Sequence, residues 1–161
     1  MQSEKNVERD VSYIQKLIEI GDVAMFVSRS NNGALKSRPM EIVDVNSDGE
    51  IFFFTTLSSE LIRELTENSD VNLSFTKDGQ NFISVYGVTQ VIQSKDMLVS
   101  LWASRYEQWI PDGLDTPNIV LLKVSLISAE HWGQNTMLNS IKQYFTTGST
   151  EPDNFHESID S

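Results

Sequence analysis

Leu35-Lys36-Ser37-Arg38-Pro39-Met40, followed by Ile51-Phe52-Phe53-Phe54-Thr55-Thr56, decides how this chain is read. The two runs read as neighbouring strands joined through the turn Asn46-Ser47-Asp48-Gly49. They end in one arginine, Arg38, and a set of hydroxyls, Thr55, Thr56, Ser58 and Ser59. A fixed guanidinium beside several small donors suits a phosphate. With apolar strands beneath, the place suits a flat ring that carries a phosphate tail.

Outward from this pair the same hairpin grammar continues. Apolar residues at Val11, Ile14, Leu17 and Ile18 form a helical stripe over 7–20, with Gly21 as its stop. A buried strand follows over 23–27, the turn Asn31-Asn32-Gly33, and a return strand over about 34–45. After the strand over 50–55 comes a short helix over 57–67, capped by Ser58 or Ser59, with Leu61, Ile62 and Leu65 facing inward. Strands over 71–76 and 81–93 flank the turn Lys77-Asp78-Gly79-Gln80, and Gly87 marks a bulge in the second of them. A helix of about a dozen residues opens at Ser94. The irregular stretch Trp109-Ile110-Pro111-Asp112-Gly113 comes next, and then a last apolar strand over 119–124 running on towards Trp132. Six strands joined mostly by hairpins, with two inserted helices, predict a small antiparallel barrel of the α+β kind. Parallel βαβ units would need longer connections.

Bulk composition narrows the function. At 161 residues the chain is one domain by length. We expect that domain over 1–148 and an acidic, unstructured tail over 149–161, where apolar side chains are few. Twelve basic against 23 acidic residues give a net charge of −11, which repels nucleic-acid backbones and anionic lipid heads alike. There is no cysteine, hence no disulfide and no thiolate metal site. The polar N-terminus and the lack of a long apolar run favour a cytoplasmic protein.

The order and spacing of these pieces resemble the pyridoxamine 5'-phosphate oxidase-like split-barrel flavoproteins, in particular their general stress protein branch. The matching segments are 35–40, 52–56, Phe82-Ile83-Ser84-Val85-Tyr86-Gly87, 109–113, Val120-Leu121-Leu122-Lys123-Val124 and Ala129-Glu130-His131-Trp132. The resemblance implies a six-stranded split barrel, a homodimer, and flavin mononucleotide (FMN) at the subunit interface. It implies that Ser37, Arg38, Pro39 and Met40 line the flavin, with Arg38 on its phosphate or ring. Phe54, Thr55, Thr56 and Ser59 would follow the cofactor edge, Phe82 would come from the partner subunit, and Trp109 and Trp132 would lie near the ring. The family has a lysine where this chain has Leu61, and Glu60 stands beside it. Arg63 and Lys36 are candidates to replace that charge. The resemblance names no catalytic residue.

Each of these residues also has a plainer reading. Arg38 suits an exposed strand end, one or two of the hydroxyls suffice to cap a helix, and Trp109 and Trp132 suit core or interface anchors. His131 and His156 lack metal-ligand spacing. Three functions besides FMN-dependent oxidoreduction therefore stay open. They are a flavin-binding stress protein without turnover, a haem- or deazaflavin-binding barrel, and a cofactor-free dimer.

Overall fold

Alternation along the first strand sets up the barrel. In β1 (Val23–Arg29), Ala24, Phe26 and Ser28 are buried, while Val23, Met25 and Arg29 between them are exposed. The computed structural model describes residues 16–133 and 157–160. It continues with β2 (Leu35–Glu41), β3 (Asp44–Val45), β4 (Glu50–Thr56) and helix α1 (Glu60–Glu67). Next come β5 (Asp70–Lys77), β6 (Asn81–Ile92), helix α2 (Lys95–Leu101), two 3-10 turns (Ser104–Gln108 and Gly113–Asp115) and β7 (Ile119–Trp132). Residues Glu157–Asp160 form β8.

All neighbouring strands pair antiparallel, in the order β2-β1-β5-β6-β7-β4-β3, with β8 added alongside β7. The sheet curls into a split barrel, as the hairpins predict, but with more than the six expected strands. The expected strand over 34–45 breaks at Ile42 and Val43 into β2 and β3, and β8 is additional. Four residues of the expected loose tail thus lie in a strand, with Ala129 opposite Ile159. The rest of that tail, the domain limit at 148 and most of the helix over 7–20 fall outside the described residues.

The break at Ile42 and Val43 is where the curled sheet meets itself. Ile42 N–H donates to the Asp22 carbonyl (2.8 Å) and its own carbonyl accepts from Gly21 (2.9 Å). One residue on, Val43 N–H donates to the Phe52 carbonyl (2.8 Å). From this corner β2 and β4 diverge without pairing. That divergence is the split.

Inside the barrel, Phe26 and Phe53 meet edge to face at 5.4 Å, packed among Leu73, Val85 and Leu122 and closed by Leu61, Ile62 and Leu65 of α1. On the outer side of β4 and β7, Phe52 and Leu121 are covered by Leu98 of α2. The bulge expected at Gly87 is present as a register shift between Tyr86 and Gly87. A Cβ there would sit 2.6 Å from the Ser125 carbonyl oxygen, backbone that cannot yield freely. Gly87→Ala is therefore expected to destabilise the fold by about 1–3 kcal/mol, measured as a lower urea midpoint. An unchanged midpoint would mean that β7 adjusts without cost.

Candidate functional site: the cleft at the split

Where β2 and β4 part, they leave a cleft of about 260 Å³, lined by Val23, Pro39, Met40, Glu41, Val43, Phe54, Tyr106, Trp109 and Ile110. β2 supplies one wall and Phe54 of β4 the other. Phe54 is held edge-on by Trp102 (5.3 Å), just past the end of α2, and Tyr106 (5.2 Å) of the first 3-10 turn, which together fix the aromatic wall from behind. Trp109 stands at the rim with 66% of its surface exposed. The one carboxylate of the lining, Glu41, pairs with Arg105 at 3.5 Å, and Arg105 also donates to the Tyr106 hydroxyl (2.8 Å). The hydroxyl bond and the nearby Glu41 charge hold the Arg105 guanidinium even more firmly protonated than usual. Pockets that enclose a drug-sized ligand span roughly 300–1,000 Å³. This cleft is slightly smaller, so a larger ligand would lie partly outside it.

Successive residues of a strand face opposite ways, so Arg38 and Lys36 share the inward face with Met40. There they meet α1. Arg38 donates to Ser28 Oγ (2.9 Å) and to Glu64 Oε2 (3.3 Å), and Ser28 donates to the same Glu64 oxygen at 2.6 Å. Lys36 pairs with Glu60 and, at 3.3 Å, with Glu64 Oε1. That Oε1 has no well-aligned hydrogen bond, and Glu64 is only 3% exposed. Burial pushes the Glu64 carboxyl up, but the Ser28 hydrogen bond and the close charges of Lys36 and Arg38 outweigh it. Its pKa therefore falls below the usual carboxylate value.

A folded-state pKa below the unfolded one means that ionised Glu64 stabilises the fold fully above the unfolded value. That stabilisation disappears as pH falls through the folded one. Thermal unfolding is thus expected to lose ground below about pH 4. Glu64→Gln should flatten this acid limb, and an unaltered limb would assign it to other carboxylates such as Glu50, whose bonds from Lys123 and Asn46 also lower its pKa.

Residues 9–152 match the model of the family described as pyridoxamine 5'-phosphate oxidase like. The chain belongs to that family. Within it, the chain is 27% identical over 78 residues to general stress protein 26 of Bacillus subtilis strain 168, an alignment covering 46% of this chain and 55% of that protein. The match thus spans about half the length of the curated relative. Among solved structures, a protein related to general stress protein 26 from Clostridium acetobutylicum superposes with a TM-score of 0.66 at 18% identity, covering 78% of this chain and 89% of that one. The general stress FMN/FAD binding protein of Xanthomonas citri superposes at 0.64 with 25% identity, covering 81% and 90%.

Of the residues that the family resemblance singles out, four line the cleft: Pro39, Met40, Phe54 and Trp109. Thr55 and Thr56 follow Phe54, and Ser59 caps α1 by accepting from Ile62 N–H (3.2 Å). The hydroxyls lie close to one another, Thr55 to Ser59 at 3.3 Å and Thr56 to Ser58 at 3.4 Å. Ser37 is exposed on the outer face of β2. Leu61 is buried in the barrel core at 6% exposure. Phe82 and Trp132 stand opposite each other across β6 and β7, and neither lines the cleft.

Sequence reasoning missed Val23, Glu41, Val43, Tyr106 and Ile110 as lining, and Glu64 as the partner of the cations. Val23 was within reach, since the antiparallel register sets it opposite Glu41. Among the described residues no cluster of three or more metal-ligating side chains occurs, and no helix is long and apolar enough to cross a membrane.

Proposed function

We propose that this chain binds a flavin, with FMN as the form expected from its family, and that the ring lies in the cleft between β2 and β4. The observation that carries the reading is the cleft itself: Pro39 and Met40 on one side, Phe54 fixed on the other, and Trp109 free at the rim. The similar structure from Xanthomonas citri, a general stress FMN/FAD binding protein, supports the same choice. A bound flavin supplies electron or hydride transfer. The protein's part is to hold the ring against Phe54 and to set the local charge through Glu41 and Arg105. Whether it turns over a small substrate as an oxidoreductase or keeps flavin as a stress protein is decided by adding NADH or NADPH and watching for bleaching.

We further propose a homodimer. Val23 at the cleft, and Met25 and Leu35 further along the same face of β1 and β2, are exposed apolar side chains, and a second copy would bury them. Phe82, away from the cleft in its own chain, is then available to the partner's site, as the family pattern implies. Light scattering at micromolar concentration is expected to give twice the chain mass, and a monomer would remove the interface.

The test of the flavin reading is the absorption spectrum of the purified protein, with the mass of whatever it releases on denaturation. The expected result is the two-band spectrum of an oxidised flavin, present on purification or appearing when flavin is added. A protein that stays colourless with added flavin would favour the cofactor-free dimer. A haem-like or deazaflavin spectrum would replace the flavin outright.

A further inference from the structure

The cleft offers an apolar seat for the proposed flavin ring, but the residues that the family pattern sets against the phosphate are not free to receive one. The family pattern offers a phosphate Arg38 and Lys36 of β2, whose side chains face α1 rather than the side of β2 on which Pro39 and Glu41 line the cleft, together with the hydroxyls that follow Phe54. Both β2 cations are already engaged, Arg38 with Glu64 and Ser28, Lys36 with Glu60 and Glu64, and Arg63, exposed on α1, lines a separate pocket with Glu60 and Glu64 rather than the cleft. Leu61, where the family resemblance sets a lysine, is part of the core. Ser59 accepts from Ile62 N–H in the cap of α1 and lies 3.3 Å from the Thr55 hydroxyl, so its bonds are made within the chain.

Drawing Arg38 or Lys36 towards a phosphate would strip charge partners from a carboxylate that is 3% exposed, and an unpaired buried charge is costly. Glu60, 64% exposed beside Lys36, adds a negative charge where the phosphate would come. What the new bonds gain, the abandoned carboxylate loses.

From this we infer, resting on the flavin reading above, that the chain holds flavin by its ring alone and that the phosphate of FMN adds no appreciable affinity. Its ligand class is thus the isoalloxazine ring with or without a phosphate, and riboflavin binds as well as FMN. Glu64 and Glu60 are the residues that set this indifference, because they take the two β2 cations and line the pocket in which Arg63 lies. One charge-assisted bond to a phosphate is worth about tenfold in affinity or more. The difference from a phosphate-gripping site is therefore large enough to read.

The test is a pair of fluorescence titrations, riboflavin and FMN against the full chain, on the wild type, Glu64→Gln and Glu60→Gln. For the wild type the two dissociation constants are expected within about threefold of each other. Glu64→Gln is expected to tighten FMN by tenfold or more and to leave riboflavin unchanged, because Arg38 and Lys36 lose their carboxylate. Glu60→Gln, an exposed change that does not threaten the fold, is expected to shift the preference towards FMN by a smaller factor through Lys36 alone. It keeps the inference open to refutation should Glu64→Gln fail to fold. A wild type that prefers FMN tenfold or more overturns the inference and leaves the flavin reading standing. An unchanged FMN-to-riboflavin ratio in the variants overturns the role given to the two glutamates. Neither flavin binding to the wild type overturns the flavin reading itself.

Discussion

Arg38→Met is expected to destabilise the ligand-free protein by about 3 kcal/mol at neutral pH, the scale of removing one partner from a buried ion pair. The reason is Glu64. Its carboxylate lies between α1 and β1 with 3% exposure, and its polar partners among the described residues are Arg38, Lys36 and the Ser28 hydroxyl. Without Arg38 the ionised form loses a charge and Ser28 loses the donor that orients it. The Glu64 pKa then rises, so the variant's deficit should shrink as acid protonates the carboxylate. Arg38→Met combined with Glu64→Leu should recover most of the loss, since a buried pair replaced by apolar groups of similar size is often neutral. Urea unfolding of the two single variants and the double variant, at neutral and acid pH, measures all of this. If Arg38 were instead an uncompensated cation reserved for a ligand, its replacement would leave the ligand-free protein as stable or more so.

Along β4 the expected effects divide by face. Phe53 is fully buried and edge-on to Phe26, so Phe53→Ala is expected to cost about 3–5 kcal/mol, more than any substitution at the cleft. Its neighbour Phe54 points the other way, at Trp102, Tyr106 and the cleft. Phe54→Leu keeps an apolar side chain there and is expected to cost under about 1.5 kcal/mol. It removes the aromatic wall, however, and flavin affinity should fall by roughly tenfold, the scale of one aromatic contact. Thermal unfolding and flavin titration of the two variants separate the roles. Equal losses of stability would show that Phe54 is core and that the cleft wall lies elsewhere.

These contrasts also show what the sequence could and could not convey. The hairpins were legible because their turns carry residues that tolerate positive φ. Gly33, Gly49, Asp78 and Gly79 all adopt it. The break of the expected 34–45 strand was not legible, because it depends on hydrogen bonds to Asp22 on one side and Phe52 on the other, contacts made only when the sheet curls. α2 ends at Leu101 rather than running for a dozen residues. Trp102 leaves the helix in an extended conformation, and its ring packs against Phe54.

The cleft was half legible. Pro39, Met40, Phe54 and Trp109 follow from the family pattern, whereas Tyr106 comes from a 3-10 turn, and Ile110 from the loop after it, whose positions are tertiary. Glu64 was hidden by its chemistry. Three residues after Leu61 and one before Leu65, it falls on the inward face of α1, where a carboxylate is not expected. Only Ser28, in the inward alternation of β1, and the two cations of β2 make that position tolerable.

The most direct measurement of the central claim is a crystal structure of the chain grown with saturating riboflavin. The expected result is the three-ring system seated between Pro39–Glu41 of β2 and Phe54 of β4, with Arg38 still on Glu64. A ring bound elsewhere, or a cleft left empty at saturation, would contradict it.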